Sequence, residues 1–153
     1  MKKNLFLIFF FVLSLSQKSY GYSSDPKEFI SEIVDEAKKI LVGTNTKEFK
    51  NSKLSDLALK TVDIKGIGFY SLGKYKKTMS DEEIKEYNLL FEKYFLKSFT
   101  SRLTDYSDPK IEVHSVEILN PKYTMVKSLL IATDDKPEVK IEWRVYTKDI
   151  DKP

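Results

Sequence analysis

The chain has 153 residues, 41% of them hydrophobic and 13% aromatic, with a formal charge of +3 and no cysteine. Without cysteine there are no disulfides, thiolate metal sites, cysteine nucleophiles or cysteine-borne lipid anchors. The length suits one domain of ordinary size, held together by its apolar core alone.

Met1-Lys2-Lys3-Asn4 forms a short cationic head, and Leu5 to Leu15 is an apolar run as long as a secretory h-region. A membrane-spanning helix needs about 20 apolar residues, and Gln17 and Lys18 end this run too early. Ser19 and Gly21 place small residues where a signal peptidase reads. Residues 1–21 are therefore read as a signal peptide cut after Gly21, with Ser16 as the next candidate site, and residues 22–153 as the mature domain. Lys2, Lys3 and Lys18 leave with the leader, so 23 basic residues face 23 acidic ones, and only Arg102 and Arg144 are arginines. That balance lacks the electrostatic footprint of nucleic-acid binding, and no nucleic-acid partner is expected.

Asp25-Pro26 reads as an N-cap followed by proline at the first helical position. Phe29, Ile30, Ile33, Val34, Ala37, Ile40 and Leu41 then recur at helical spacing, which predicts a helix from Pro26 to about Val42 before Gly43. Lys38 and Lys39 sit near its end, where the dipole favours cations. Phe49, Leu54, Leu57 and Leu59 predict a second, less regular helix.

Val62 to Leu72 contains Gly66 and Gly68, with Gly73 just beyond. Each glycine inside a helix costs about 1 kcal/mol against alanine, so these mark close backbone packing or breaks between short helices. A phosphate loop is a poor fit, because GIGFYSLGK has neither the Walker spacing nor a preceding apolar strand.

Ser80 to Glu83 is a capping box, with Met79 and Ile84 placed as a hydrophobic staple. The helix it starts carries Ile84, Tyr87, Leu90, Phe91, Tyr94, Phe95, Phe99, Leu103 and Tyr106, and would be about 39 Å long if continuous to Tyr106. Beyond Asp108-Pro109 the period changes to two. Lys110 to Leu119 is a predicted strand whose apolar phase switches between Val113 and Val116, so a bulge is expected near Ser115. Tyr123 to Thr133 is a second strand, apolar on both phases and expected to be buried on both sides in places. Asp134 to Pro137 is a hairpin loop, and Val139, Ile141, Trp143 and Val145 alternate with Lys140, Glu142 and Arg144 on a third strand. Helices first and an antiparallel meander second predict an α+β fold, with helices over one face of a curved sheet.

Catalytic chemistry has little to build on. His114 is the lone histidine, on a strand without patterned carboxylates. Asp81 and Glu83 are accounted for by capping, and Asp134 and Asp135 by turn chemistry. No enzyme activity, metal or cofactor is expected.

Val62-Asp63-Ile64, Leu72-Gly73-Lys74-Tyr75, Ser80-Asp81-Glu82-Glu83, Phe91 and Phe95, in that order, resemble the signature of the MlaC (toluene-tolerance, Tol-type) periplasmic phospholipid-binding proteins. The resemblance implies that helices and sheet enclose an apolar cavity for the acyl chains of a phospholipid, with the headgroup near its mouth. It further implies a periplasmic shuttle between an outer-membrane lipoprotein complex and an inner-membrane ABC transporter bearing an MCE domain, with transient contact at the membrane surface. Family members usually continue with another strand and a helical segment, so the resemblance also implies an incomplete C-terminus. From the apolar faces, Ile67, Tyr70, Leu72, Phe91, Phe95 and Phe99 on helices, with Val113, Met125, Leu129, Ile141, Trp143 and Val145 on strands, are expected to line the cavity. Lys74, Lys76 and Lys77 form a compact basic patch for a headgroup or an acidic partner. The rival reading is a small-ligand domain or enzyme on the similar NTF2-like cone, which would require convergent polar groups inside its pocket.

Overall fold

A computed structural model describes residues 21–147. The predicted leader, apart from Gly21, lies outside the described residues, as does the chain after Thr147.

Helix α1 spans Pro26–Val42, the predicted range. The Asp25 carboxylate accepts from the Lys27 and Glu28 amides, each at 2.9 Å, and Pro26 has no N–H to leave unpaired. Its buried face is Phe29, Ile30, Ile33, Val34 and Leu41. Helix α2 spans Lys47–Thr61, starts on the Thr46 hydroxyl, and buries Leu54, Leu57 and Ala58. Phe49 and Leu59, expected on its apolar side, are exposed. Each is five residues from Leu54, which places it about 140° around the helix from the buried stripe.

Helix α3 spans Ile64–Ser71 and is capped by Asp63, whose Oδ1 accepts from the Gly66 amide at 2.9 Å. A 3-10 turn, Gly73–Lys77, follows. Gly73 has φ +53°, a conformation that L side chains rarely adopt, and so supplies the break between the helices. Helix α4 spans Asp81–Leu103 and begins with the predicted box: the Ser80 hydroxyl accepts from the Glu83 amide at 3.2 Å and Glu83 Oε2 accepts from the Ser80 amide at 2.7 Å. It is about 35 Å long and stops short of Tyr106. The Thr104 hydroxyl donates to the Thr100 and Ser101 carbonyls and the Tyr106 amide to the Leu103 carbonyl, which supplies donors to three of the carbonyls at the end of the helix.

Strands β1 (Ile111–Asn120), β2 (Tyr123–Leu130) and β3 (Val139–Tyr146) form an antiparallel sheet in the order β1-β2-β3. Val113 pairs with Ser128 and Ser115 with Lys127, so His114 is the extra residue of a bulge, and a second shift falls between Ile118 and Asn120. The first bulge turns the two apolar phases of β1 onto one side. That face carries Ile111, Val113, Val116 and Ile118, then Thr124, Val126, Ser128 and Leu130, then Val139, Ile141, Trp143 and Val145. The other face carries Glu117, Lys127, Glu142 and Arg144 among others. Strand β2 ends earlier than expected and alternates buried with half-buried residues, so it is not buried on both sides.

The predicted α+β class holds. Phe29, Ile30, Ile33 and Val34 of α1 pack with Leu57 onto Val126 and Val145 of the sheet. Helix α2 packs on α1, α4 on α2, and α3 on α4. The sheet is open and bent at its bulges.

Candidate functional site

The apolar residues picked out in the sequence fall in three places. The first is the α3–α4 layer. Tyr87, Phe91, Phe95 and Phe99 recur every four residues and stack along α4, with ring centroids 5.7, 6.3 and 5.7 Å apart and interplanar angles of 27, 29 and 11°. Such pairs contribute about 0.5–1.5 kcal/mol each beyond burial. Leu72 is buried beneath the start of the 3-10 turn, whereas Ile67 is exposed and Tyr70 is 82% exposed. Phe69, Leu89, Leu90 and Tyr94 are exposed on the same two helices.

The second place is the sheet face that α1 covers, where Val113, Ile141, Trp143 and Val145 lie together. The Trp143 indole N–H donates to Ser128 Oγ at 2.8 Å, so its polar edge is satisfied while the ring packs against the core. Val126 beside it is fully buried. Towards the β1–β2 turn the same face is open: Val116 is exposed and Ile118 is 79% exposed.

The third place is the opposite face. Met125 and Leu129 lie there, on the other side of the sheet from Trp143, and do not belong with the other four strand residues. Met125 is flanked in register by Glu117 and Arg144. Lys127 Nζ and Glu117 Oε2 pair there at 2.8 Å. Hydrogen bonding to Lys127, then its charge, holds the Glu117 carboxyl below its ordinary pKa, and Glu117 in the same way raises Lys127.

An open pocket of about 390 Å³ lies between the beginnings of α3 and α4, lined by Lys65, Asp81, Ile84, Lys85, Asn88, Leu89 and Glu92. None of the expected lining residues contributes to it. Four charged side chains make it unsuited to acyl chains. Asn88 Oδ1 is buried without a hydrogen-bond partner among the described residues.

Residues 28–152 match the family model described as MlaC protein. The chain belongs to the MlaC family. No curated protein matches it. Membership assigns it coarsely to the periplasmic lipid-binding transport proteins. Among the described residues, no helix is long and apolar enough to cross a membrane.

Apolar side chains are left open in two of the three places: along α3–α4 and at the Val116–Ile118 end of the sheet. Phe69, Leu89, Val116 and Ile118, exposed in these places, are not among the residues expected from the sequence to line a cavity. The Leu89-Leu90 pair was the available signal, since one helix face cannot bury both neighbours and the Tyr87–Phe91 stripe as well. His114, at the bulge, is exposed, with Nε2 3.7 Å from Glu112 Oε2. No group of three or more His, Cys, Asp or Glu residues that could hold a metal ion occurs among the described residues. Lys74, Lys76 and Lys77 are exposed on the 3-10 turn, as the sequence placed them.

Proposed function

We propose that this MlaC protein is a non-enzymatic phospholipid carrier, which takes lipid acyl chains onto its apolar surfaces and passes the lipid between an outer-membrane lipoprotein complex and an inner-membrane MCE-domain ABC transporter. Residues 1–21 serve as its leader and residues 22–153 as the carrier domain. The family match over residues 28–152 is the observation that carries this reading.

The physics of the cargo supports it. Two tails of about sixteen carbons, at about 0.8 kcal/mol per methylene, hold a phospholipid in its bilayer by on the order of 20 kcal/mol. Unassisted transfer through water is correspondingly slow, and a carrier shortens the wait by offering a dry surface. Exposed large hydrophobics that cluster on one surface, and not those scattered singly, mark a binding site. Among the exposed large hydrophobics here, Ile67, Phe69, Leu89, Leu90 and Tyr94 lie on α3 and α4, and Val116 and Ile118 at one end of the sheet; others, such as Val42, Phe49 and Leu59, lie elsewhere. The tails would enter along the Phe91–Phe95–Phe99 ladder or under the open end of the sheet beside Val113, Ile141, Trp143 and Val145, with Lys74, Lys76 and Lys77 available to the headgroup phosphate.

Native mass spectrometry of protein purified from a periplasmic extract tests the reading. A co-purifying mass of phospholipid size is the expected result. A small polar mass would favour the NTF2-like alternative, and an empty protein that also refuses added phospholipid would end the carrier proposal. Trp143 emission should shift on loading; an unchanged spectrum at verified loading removes Trp143 from the lipid contact.

A further inference from the structure

Charge is unevenly distributed along this chain. The described residues hold equal numbers of acidic and basic side chains, yet the stretch Ile64–Ser80 contains Lys65, Lys74, Lys76 and Lys77 and no acidic residue. Three of these lysines stand on the turn Gly73–Lys77, and none of the four has a carboxylate within ion-pair distance among the described residues.

Aromatic rings are interleaved with them. Tyr70 and Tyr75 are 82% and 64% exposed, and Phe69 is also exposed. Lys76 Nζ lies 4.8 Å from the Phe69 ring centroid and Lys74 Nζ 5.8 Å from that of Tyr75. Leu72, buried beside Gly73, anchors the turn to the body of the protein. The knob is thus a fixed projection with positive charge and amphipathic rings at its tip.

We propose that this knob, the end of α3 together with the Gly73–Lys77 turn, docks on the surface of an anionic lipid bilayer. Tyrosine rings settle at headgroup depth, where their apolar body and polar tip are both satisfied. Lysine stems lie along the interface while the ammonium groups reach phosphate. An acidic protein surface is the weaker occupant, because lysine is depleted in protein interfaces and the knob has neither arginine nor tryptophan, two of the residue types that usually anchor them. The proposal deepens the carrier reading and rests on it for its purpose: a shuttle that meets the membrane through a fixed knob holds its apolar surfaces close to the lipid it exchanges.

Flotation of the mature protein with vesicles tests this, using phosphatidylglycerol mixed with phosphatidylethanolamine in one arm and phosphatidylcholine alone in the other. The wild-type protein should float with the anionic vesicles, weaken as salt rises, and leave the phosphatidylcholine vesicles largely free. Each lysine near an anionic surface is worth roughly a fivefold change in binding, so Lys74→Gln, Lys76→Gln and Lys77→Gln together should weaken it about a hundredfold, and charge reversal with Glu further. Tyr75→Ala should weaken binding without changing its salt dependence. Circular dichroism identifies any variant that does not fold, and the Gln set serves if the Glu set fails. Equal flotation of the triple variant and wild type, equal binding to both vesicle types, or no vesicle binding by wild type overturns the proposal. So does capture of an acidic protein by the knob without vesicle binding. Phospholipid cargo is measured separately on the wild-type protein: protein that is empty, refuses added phospholipid and still floats defeats the carrier reading and leaves the docking surface standing.

Discussion

Gly68 of α3 and Phe91 of α4 meet backbone to ring. A β-carbon added at Gly68 would lie 2.8 Å from Phe91 Cδ1 and 3.1 Å from Cγ, closer than packed atoms tolerate. The missing side chain is what lets the two helices approach, and it seats Phe91 within the aromatic ladder.

Gly68→Ala should therefore destabilise the protein by about 1–3 kcal/mol through overpacking, although alanine is favoured over glycine by about 1 kcal/mol within a helix. Urea denaturation of the single variant reads the loss. A double variant with Phe91→Leu should recover part of it, since the smaller side chain vacates the contested space; no recovery would show that the strain lies elsewhere.

Two leucines on neighbouring helices should behave oppositely. Leu54 is fully buried where α2 packs, and Leu90 is more than half exposed on α4. Leu54→Ala should cost about 2–5 kcal/mol, while Leu90→Ala should stay within about 0.5 kcal/mol. Denaturant midpoints for both variants check the contrast, and a costly Leu90→Ala would show that this side of α4 is covered in solution.

Tyr22 links stability to alkaline pH. Its hydroxyl donates to Glu36 Oε2 at 2.7 Å and its ring meets Phe29 edge-on. Burial, then the Glu36 hydrogen bond and the charges of Glu36 and Glu32, push its pKa from 10.0 up to about 12. Between those values the unfolded chain has lost a proton that the folded protein keeps, so stability falls as pH rises. Tyr22's contribution is complete below about pH 10 and gone above about 12. Tyr22→Phe cannot ionise, so the stability gap between wild type and variant should narrow across that window in paired denaturation curves. A constant gap would refute the linkage.

Much of the fold is legible locally. Asp25-Pro26 and the Ser80–Glu83 box start their helices as read, because a cap is satisfied by atoms within three residues of itself. The phase switch in β1 announced its bulge for a similar reason: an alternating pattern can change face only by gaining a residue. The glycines between Val62 and Gly73 read as close packing or as breaks, but which glycine plays which part, contact at Gly68 and the break at Gly73, is decided only by the tertiary structure.

The candidate site was legible in kind and not in place. Met125 and Leu129 read as well as Val126 and Leu130 for the covered face, since β2 is apolar on both phases. Register against β3 and the weight of α1 decided between them. Likewise Tyr70 looks like a core aromatic until α3 is seen to rest on α4 through Gly68, which turns Tyr70 outward.

The sequence by itself determined where helices begin, which family the chain resembles and where its positive charge gathers, because caps, motifs and charge runs are properties of neighbouring residues. Only the tertiary structure decided which apolar residues are covered and which stay open, because burial depends on what another element places against a face. Residues far apart in the chain, such as Phe29 against Val126 or Gly68 against Phe91, settle that question, and no local pattern encodes their meeting.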